Sequence, residues 1–250
     1  MKITVIYGTM RKEKSSTWQI AQQFIGRLSE NDSVKEFYLP AAMPNFCRSC
    51  WQCFEDYTKC PDYSYLAPIL DAILEAELLV FTSPVYVYHV TGQMKAFLDH
   101  FGYQWMVHQP RPELFCKQVL LISTAAGGGT KSTLRDLKDN MRFWGISHIY
   151  CFRQNVRAAE WSGVSSAVKE EIGKKVSSVS HRIQRGRKHH KPSVRTKVVF
   201  YAMRFLQKHI GLLPADVAYW EKMGWLSTGR PWKADPKKSS TKQKNLHTVN

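Results

Sequence analysis

Hydrophobic positions along the chain alternate between two patterns. Short extended runs at 3–7, 34–39, 78–82, 119–123 and 148–152 read as strands. Between them apolar residues recur at helical spacing. Trp18, Ile20, Ala21, Phe24, Ile25 and Leu28 do so over 16–28, with Ser15, Ser16 and Thr17 as capping candidates. Leu66, Ile69, Leu70, Ile73 and Leu74 form one stripe over 66–76, and further helices are expected at 93–101, 131–144 and 164–187. Five strands alternating with helices predict an α/β fold, a doubly wound five-stranded parallel sheet covered on both faces. A cysteine-rich loop over 41–64 interrupts the alternation. Beyond residue 187 the pattern breaks: 189–192 reads as a linker, 198–206 and 216–221 as short helices, and the Lys/Ser/Thr-rich end from 233 as disordered.

Composition changes this picture in one respect. The 250 residues are 44% hydrophobic, enough for a sizeable core, and the net charge is +16. That charge is uneven. Residues 1–180 hold 20 Lys+Arg against 17 Asp+Glu, and residues 181–250 hold 16 against 3. The basic character therefore belongs to a C-terminal extension. It raises the prospects of a membrane surface, an acidic partner or nothing beyond solubility. Nucleic acid is not expected as a partner, because no recognition motif is present. The first residues lack a signal-peptide pattern, so a cytoplasmic location with reduced thiols is expected.

Ligands of an open parallel sheet bind at the carboxyl ends of its strands. Three unusual loops leave those ends. Residues 8–17 are rich in hydroxyls and cations and run into a helix N-terminus, which suits a phosphate. The loop lacks the G-x-x-x-x-G-K-[ST] and G-x-G-x-x-G patterns of ATP and dinucleotide sites. Residues 82–95 carry two tyrosines and a proline, and could hold a flat ring. Residues 124–130 have almost no side chains, so a ligand can approach the backbone closely.

Ser83-Pro84-Val85-Tyr86 followed by Gly92-Gln93-Met94-Lys95-Ala96-Phe97-Leu98-Asp99-His100 resembles the S-P-x-Y…G-x-x-K-x-x-x-D-[RH] signature of flavodoxin-like NAD(P)H-dependent FMN reductases. The likeness covers about residues 1–185. It implies a flavodoxin-like FMN-binding domain over 1–187; the break in pattern and the composition add a helical extension over 188–232 and a disordered basic tail over 233–250. The likeness implies that Thr9, Arg11, Ser15, Ser16 and Thr17 hold the FMN phosphate. Pro84, Val85, Tyr86, Val87, Thr124, Ala125, Gly127 and Gly128 would then contact the isoalloxazine. The implied activity is hydride transfer from NAD(P)H through FMN to a small-molecule acceptor such as a quinone, nitro or azo compound, or free flavin. A homodimer is implied as well. No acid–base residue is singled out, since the cofactor carries the chemistry.

Cys47-x2-Cys50-x2-Cys53-x6-Cys60 resembles the compact motif of iron-sulfur flavoproteins, which carry a [4Fe–4S] cluster beside FMN. A zinc site and four plain thiols are the other readings. Cys116 and Cys151 are expected to be packing residues. His89 and His100 lie near the ring loop without ligand spacing, and Lys95 and Asp99 are expected to form a helical i, i+4 pair. A third reading makes the chain a non-enzymatic binding protein that works through its basic extension. An interfacial helix at 198–206 would then give contact with a membrane surface.

Overall fold

The computed structural model describes residues 1–29, 33–187 and 191–233. All but the first residue of the expected tail over 233–250, and residues 189–190 of the expected linker over 189–192, lie outside the described residues. Strands β1 (Ile3–Tyr7), β2 (Val34–Tyr38), β3 (Leu78–Pro84), β4 (Gln118–Ala125) and β5 (His148–Asn155) form one parallel sheet in the order β2-β1-β3-β4-β5. This is the flavodoxin-like doubly wound order, whose reversal lies between β1 and β3.

The interior strands are apolar on both faces because helices cover both. Alternate residues divide between two cores: Ile6, Leu79, Phe81, Val119 and Leu121 point one way, and Val5, Tyr7, Leu78, Val80, Leu120 and Ile122 the other. Helices α1 (Ser16–Leu28) and α6 (Ser166–Gly186) cover the second core. The first is covered by α3 (Tyr63–Glu75), α4 (Gly92–Asp99) and α5 (Thr130–Phe143), while a single short turn of helix, α2 (Gln52–Glu55), sits in the cysteine loop. The edge strands differ from the run the sequence predicts. β2 is half-exposed, and β5 alternates buried with exposed residues toward its end. Cys151 lies on the exposed side of β5, so it is not the packing residue expected, and Cys116 is half-buried at the end of a 3-10 turn.

The extension forms α7 (Val194–His209) and α8 (Pro214–Lys222) and builds a third core with Met106, Phe115, Phe200, Trp220 and Trp225. Phe200 stacks on Trp220 at 5.1 Å and meets Phe115 edge-on at 6.0 Å. The Trp220 indole donates to the His108 carbonyl at 2.7 Å, and the Arg204 guanidinium to the carbonyls of Trp225, Leu226 and Ser227. Phe200 is fully buried at the centre of this cluster. Phe200→Ala should therefore cost roughly 3–5 kcal/mol. Urea denaturation checks this, and a change under 1 kcal/mol would mean that the third core adds little.

Candidate functional site

Gly8 ends β1 and starts the first loop. Its amide donates to the Thr82 carbonyl at 2.8 Å, and a Cβ there would stand 2.8 Å from that oxygen and 2.9 Å from Thr91 Oγ1. Only glycine fits, so the loop turns sharply over the end of β3. Beyond it Thr9, Ser15, Ser16 and Thr17 are all buried. The Ser15 and Thr17 hydroxyls bond each other at 2.7 Å, and Ser15, although at the N-cap, does not cap α1 with its side chain. The first amides of α1 are thus left to another acceptor. Arg11 faces elsewhere: its guanidinium donates to the Ala159 carbonyl and to Glu160 Oε1, both at 3.0 Å. It ties this loop to the segment after β5.

The second loop follows β3. Tyr86 and His89 pair their backbones at 3.1 Å both ways, closing a tight turn whose central residues, Val87 and Tyr88, have φ of 45° and 66°. Neither residue type favours that region, at a cost on the order of 1–3 kcal/mol each. The surroundings enforce the turn. Ser132 Oγ donates to the Tyr88 carbonyl, and the Asp136 carboxylate takes His89 Nδ1 at 2.8 Å and the Val90 amide at 3.4 Å. Tyr86, Val87 and Tyr88 are left exposed, Val87 at 92%. Opposite them runs the third loop. The Thr124 carbonyl accepts from the Val85 amide at 2.9 Å, and Gly129 (φ 94°) sits where a Cβ would press Val85 Cγ1 at 2.6 Å. Gly127 and Gly128 are exposed, whereas Thr124 and Ala125 are buried at the strand end.

These three loops meet at one mouth. Gln93 Nε2 donates to the Gly8 carbonyl at 2.9 Å, joining the first two, and within the second Ser83 Oγ accepts from the Thr91 amide at 3.0 Å. The Gln93–Gly8 contact is not evident from the sequence, since its partners lie 85 residues apart. Two buried hydroxyls toward the carboxyl ends of β3 and β4, Thr82 Oγ1 and Ser123 Oγ, have no hydrogen-bond partner among the described residues. The mouth itself offers hydroxyl and amide donors for a phosphate, and small-residue backbone and aromatic side chains for a flat ring. An FMN molecule fits that donor set.

A second centre lies at the other end of α4. Cys47, Cys50, Cys53 and Cys60 line a cavity of about 360 Å³ together with Trp51, Phe54, Asp62, His100 and Tyr103. Burial, and then the neighbouring Cys60, Cys47 and Cys50, push the Cys53 thiol up to about 11. Asp62 and His100, found by no spacing rule, form a buried pair behind the cysteines. His100 Nε2 lies 3.1 Å from Asp62 Oδ2, its Nδ1 lies 2.8 Å from the Ala96 carbonyl, and Asn45 Nδ2 donates to Asp62 at 2.6 Å. Burial alone would raise the Asp62 carboxyl, but the Asn45 and His100 hydrogen bonds and the charges of His100 and Arg48 bring it below its ordinary value. Lys95 and Asp99 form the expected i, i+4 pair on the exposed face of α4.

Among the described residues no three His, Cys, Asp or Glu side chains converge closely enough to share one metal ion. A single tetrahedral zinc with Zn–S near 2.3 Å would need such convergence. A four-iron cluster instead gives each thiolate its own iron and holds the sulfurs farther apart. Four thiols around one cavity are a donor set that a four-iron cluster can use. The extension braces this centre: buried Asp216 on α8 accepts from Gln109 Nε2 at 3.3 Å and lies 2.7 Å from His108 Nδ1, while Gln109 also donates to the Phe54 carbonyl at 2.6 Å.

Known proteins resemble the chain at three levels. It matches the NADPH-dependent FMN reductase family over residues 1–157. It is 22% identical over 229 residues to an iron-sulfur flavoprotein of Archaeoglobus fulgidus, covering 90% of this chain and 100% of that protein. An iron-sulfur flavoprotein of Clostridioides difficile is 31% identical over 102 residues, 40% of this chain and 45% of that one. In fold it is similar to an FMN-dependent NADH-azoreductase from Bacillus anthracis solved with FMN, at a TM-score of 0.54 and 14% identity over 72% of this chain and 100% of the other. The family match spans all three mouth loops, and with the strand order it shows that the chain belongs to the NADPH-dependent FMN reductase family and is an NAD(P)H-dependent flavin oxidoreductase with FMN as its cofactor.

Proposed function

We propose that this oxidoreductase holds an iron–sulfur cluster on Cys47, Cys50, Cys53 and Cys60 and exchanges electrons singly with a redox partner. The observation that carries this reading is the single cavity that those four cysteines line. The names of the two iron-sulfur flavoproteins it resembles support it. When bound, FMN would supply hydride acceptance from a nicotinamide and release of electrons one or two at a time, and a cluster would supply one-electron exchange. The second reading is a reductase whose cysteines stay thiols. It passes both electrons to a quinone, nitro or azo compound, or free flavin, and the exposed Tyr86–Tyr88 rim favours it by leaving room for a flat acceptor.

The chain's own residues then have separate tasks. Thr9, Ser15, Ser16 and Thr17, with the free amides of α1, bind the FMN phosphate. Arg11 contributes charge while its hydrogen bonds hold the loop to Ala159 and Glu160. Pro84, Val85, Tyr86 and Val87 form one wall for the isoalloxazine, and Thr124, Ala125, Gly127 and Gly128 the other. Within this reading residues 1–187 are the flavin-binding unit, and the extension braces the cysteine loop through Asp216 and Gln109. A homodimer would cover the apolar rim of the mouth. Accessible reduced thiols fit a cytoplasmic setting.

Three measurements test these assignments. Iron and acid-labile sulfide on anaerobically purified protein should each approach four per chain. Cys50→Ser should remove them and leave the flavin absorbance intact. Iron near zero in the unaltered protein leaves the thiol reading. Ser16→Ala removes one hydrogen bond to a charged phosphate and should weaken FMN binding by roughly 1.5–3 kcal/mol in a fluorescence titration, and unchanged affinity would move the phosphate elsewhere. Gln109→Ala should lower the ratio of iron to FMN, since the Phe54 carbonyl then loses its tether next to Cys53. An unchanged ratio would make the Asp216–Gln109 contact merely structural.

A further inference from the structure

Helix α7 is apolar on two faces. Val199, Phe200 and Met203 enter the third core. Val194, Val198, Tyr201 and Phe205 fall within about 60° of arc on the other side. They are 78%, 61%, 45% and 61% exposed, and Ile210 and Leu212 extend the apolar surface beyond the helix end. A helix apolar on both faces is expected to be covered on both. A continuous exposed stripe of this kind marks an interaction surface.

Charge identifies what covers it. From 172 to 215 the sequence has no Asp or Glu and 11 Lys or Arg. Arg195 and Lys208 flank the stripe, both exposed, whereas Arg204 is occupied by backbone carbonyls. A cavity of about 250 Å³ opens at the N-terminal end of α7. It is lined by the cations Lys138, Arg142 and Arg195 and the hydroxyls of Ser147, Ser193 and Thr196, with no carboxylate in its wall. Cations and hydroxyls around a cavity of this size suit a phosphate group. This cavity lies beside the start of β5, at the opposite end of the sheet from the flavin mouth, so it is not part of the site described above.

An apolar stripe that ends at a phosphate-sized basic cavity matches a lipid surface, with acyl chains beneath and headgroups alongside. A second copy of the chain fits less well, because a two-fold contact would set Arg195 and Lys208 against like charges. Nucleic-acid bases could stack on Phe205 but would leave the aliphatic Val194 and Val198 uncovered. No helix among the described residues is long and apolar enough to cross a membrane, so α7 would lie in the interface. We propose that α7 docks this oxidoreductase onto an anionic membrane surface, with Val194, Val198 and Phe205 among the acyl chains and a lipid phosphate in the Lys138–Arg142–Arg195 cavity.

The test is co-sedimentation of the full-length, FMN-loaded protein with vesicles of phosphatidylcholine alone or with phosphatidylglycerol added. Binding should need the anionic lipid and weaken with salt. Arg195→Gln and Lys208→Gln should each weaken it about fivefold. Phe205→Ser, an exposed change, should abolish it and leave FMN content and NAD(P)H oxidation unchanged. Inorganic phosphate at millimolar concentration should not displace bound protein, and displacement would reassign the cavity to a free phosphate compound. Absence of binding to anionic vesicles overturns the proposal. So does a dimer in sedimentation velocity that Phe205→Ser dissociates, or an oligonucleotide affinity that this variant leaves intact.

Discussion

Gly8 has no room for a side chain, and much of the molecule's chemistry follows from that. With its amide on the Thr82 carbonyl at 2.8 Å, the chain leaving β1 must pass over the end of β3. These are the neighbouring strands between which the strand order reverses, so the crevice opens there. Hydroxyls that would otherwise face solvent are buried at the N-terminus of α1. A phosphate placed there meets amides and hydroxyls that are already oriented, so little ordering is left for binding to supply. The Tyr86–His89 turn works on the same principle. Its unfavourable backbone at Val87 and Tyr88 is held by Ser132 and Asp136 on α5, and its wall of the mouth stands before any ligand arrives.

The second centre obeys a different constraint. Burial raises the Cys53 and Cys60 thiols above their ordinary range, and a raised thiol is a poor ligand and nucleophile until a metal draws off its proton. The cavity is nevertheless braced. Asp62 and His100 close it from behind, and the stacked Tyr57 and Tyr103 and the T-shaped contact of Phe54 with His108 carry its support toward the extension. The basic extension therefore also touches the support of the cysteine cavity.

Much of the sheet was legible because its strands are apolar on both faces and its helices carry clear stripes. The edge strands were harder to read. β5 runs to Asn155, three residues past the expected end, because Phe152 and Gln154 still turn inward while Arg153 and Asn155 face water. Helix α3 starts at Tyr63 and contains Pro68, where the stripe alone would begin at Leu66. At the mouth the sequence supplied the loops and their residue types but not the joints between them. Gln93 to Gly8 and Ser132 to Tyr88 span more than 40 residues each, and no local spacing encodes such contacts. Arg11 shows the converse: a cation in the right loop whose partners, Ala159 and Glu160, come from a segment that carries no motif. Asp216 reads as an ordinary helix residue, and only the third core places it under the cysteine loop.

Helix α4 has eight residues, about 12 Å of rise, and both centres are built on its ends. Thr91 and Gln93 serve the mouth at one end, while Asp99 and His100 line the cysteine cavity at the other. A residue inserted between them would turn the two ends about 100° against each other. Either the hydrogen bond to Gly8 or the pair with Asp62 would then be lost. The length of this helix is thus a gauge that the two sites share, and evolution can alter the loops around each site far more freely than the distance between them.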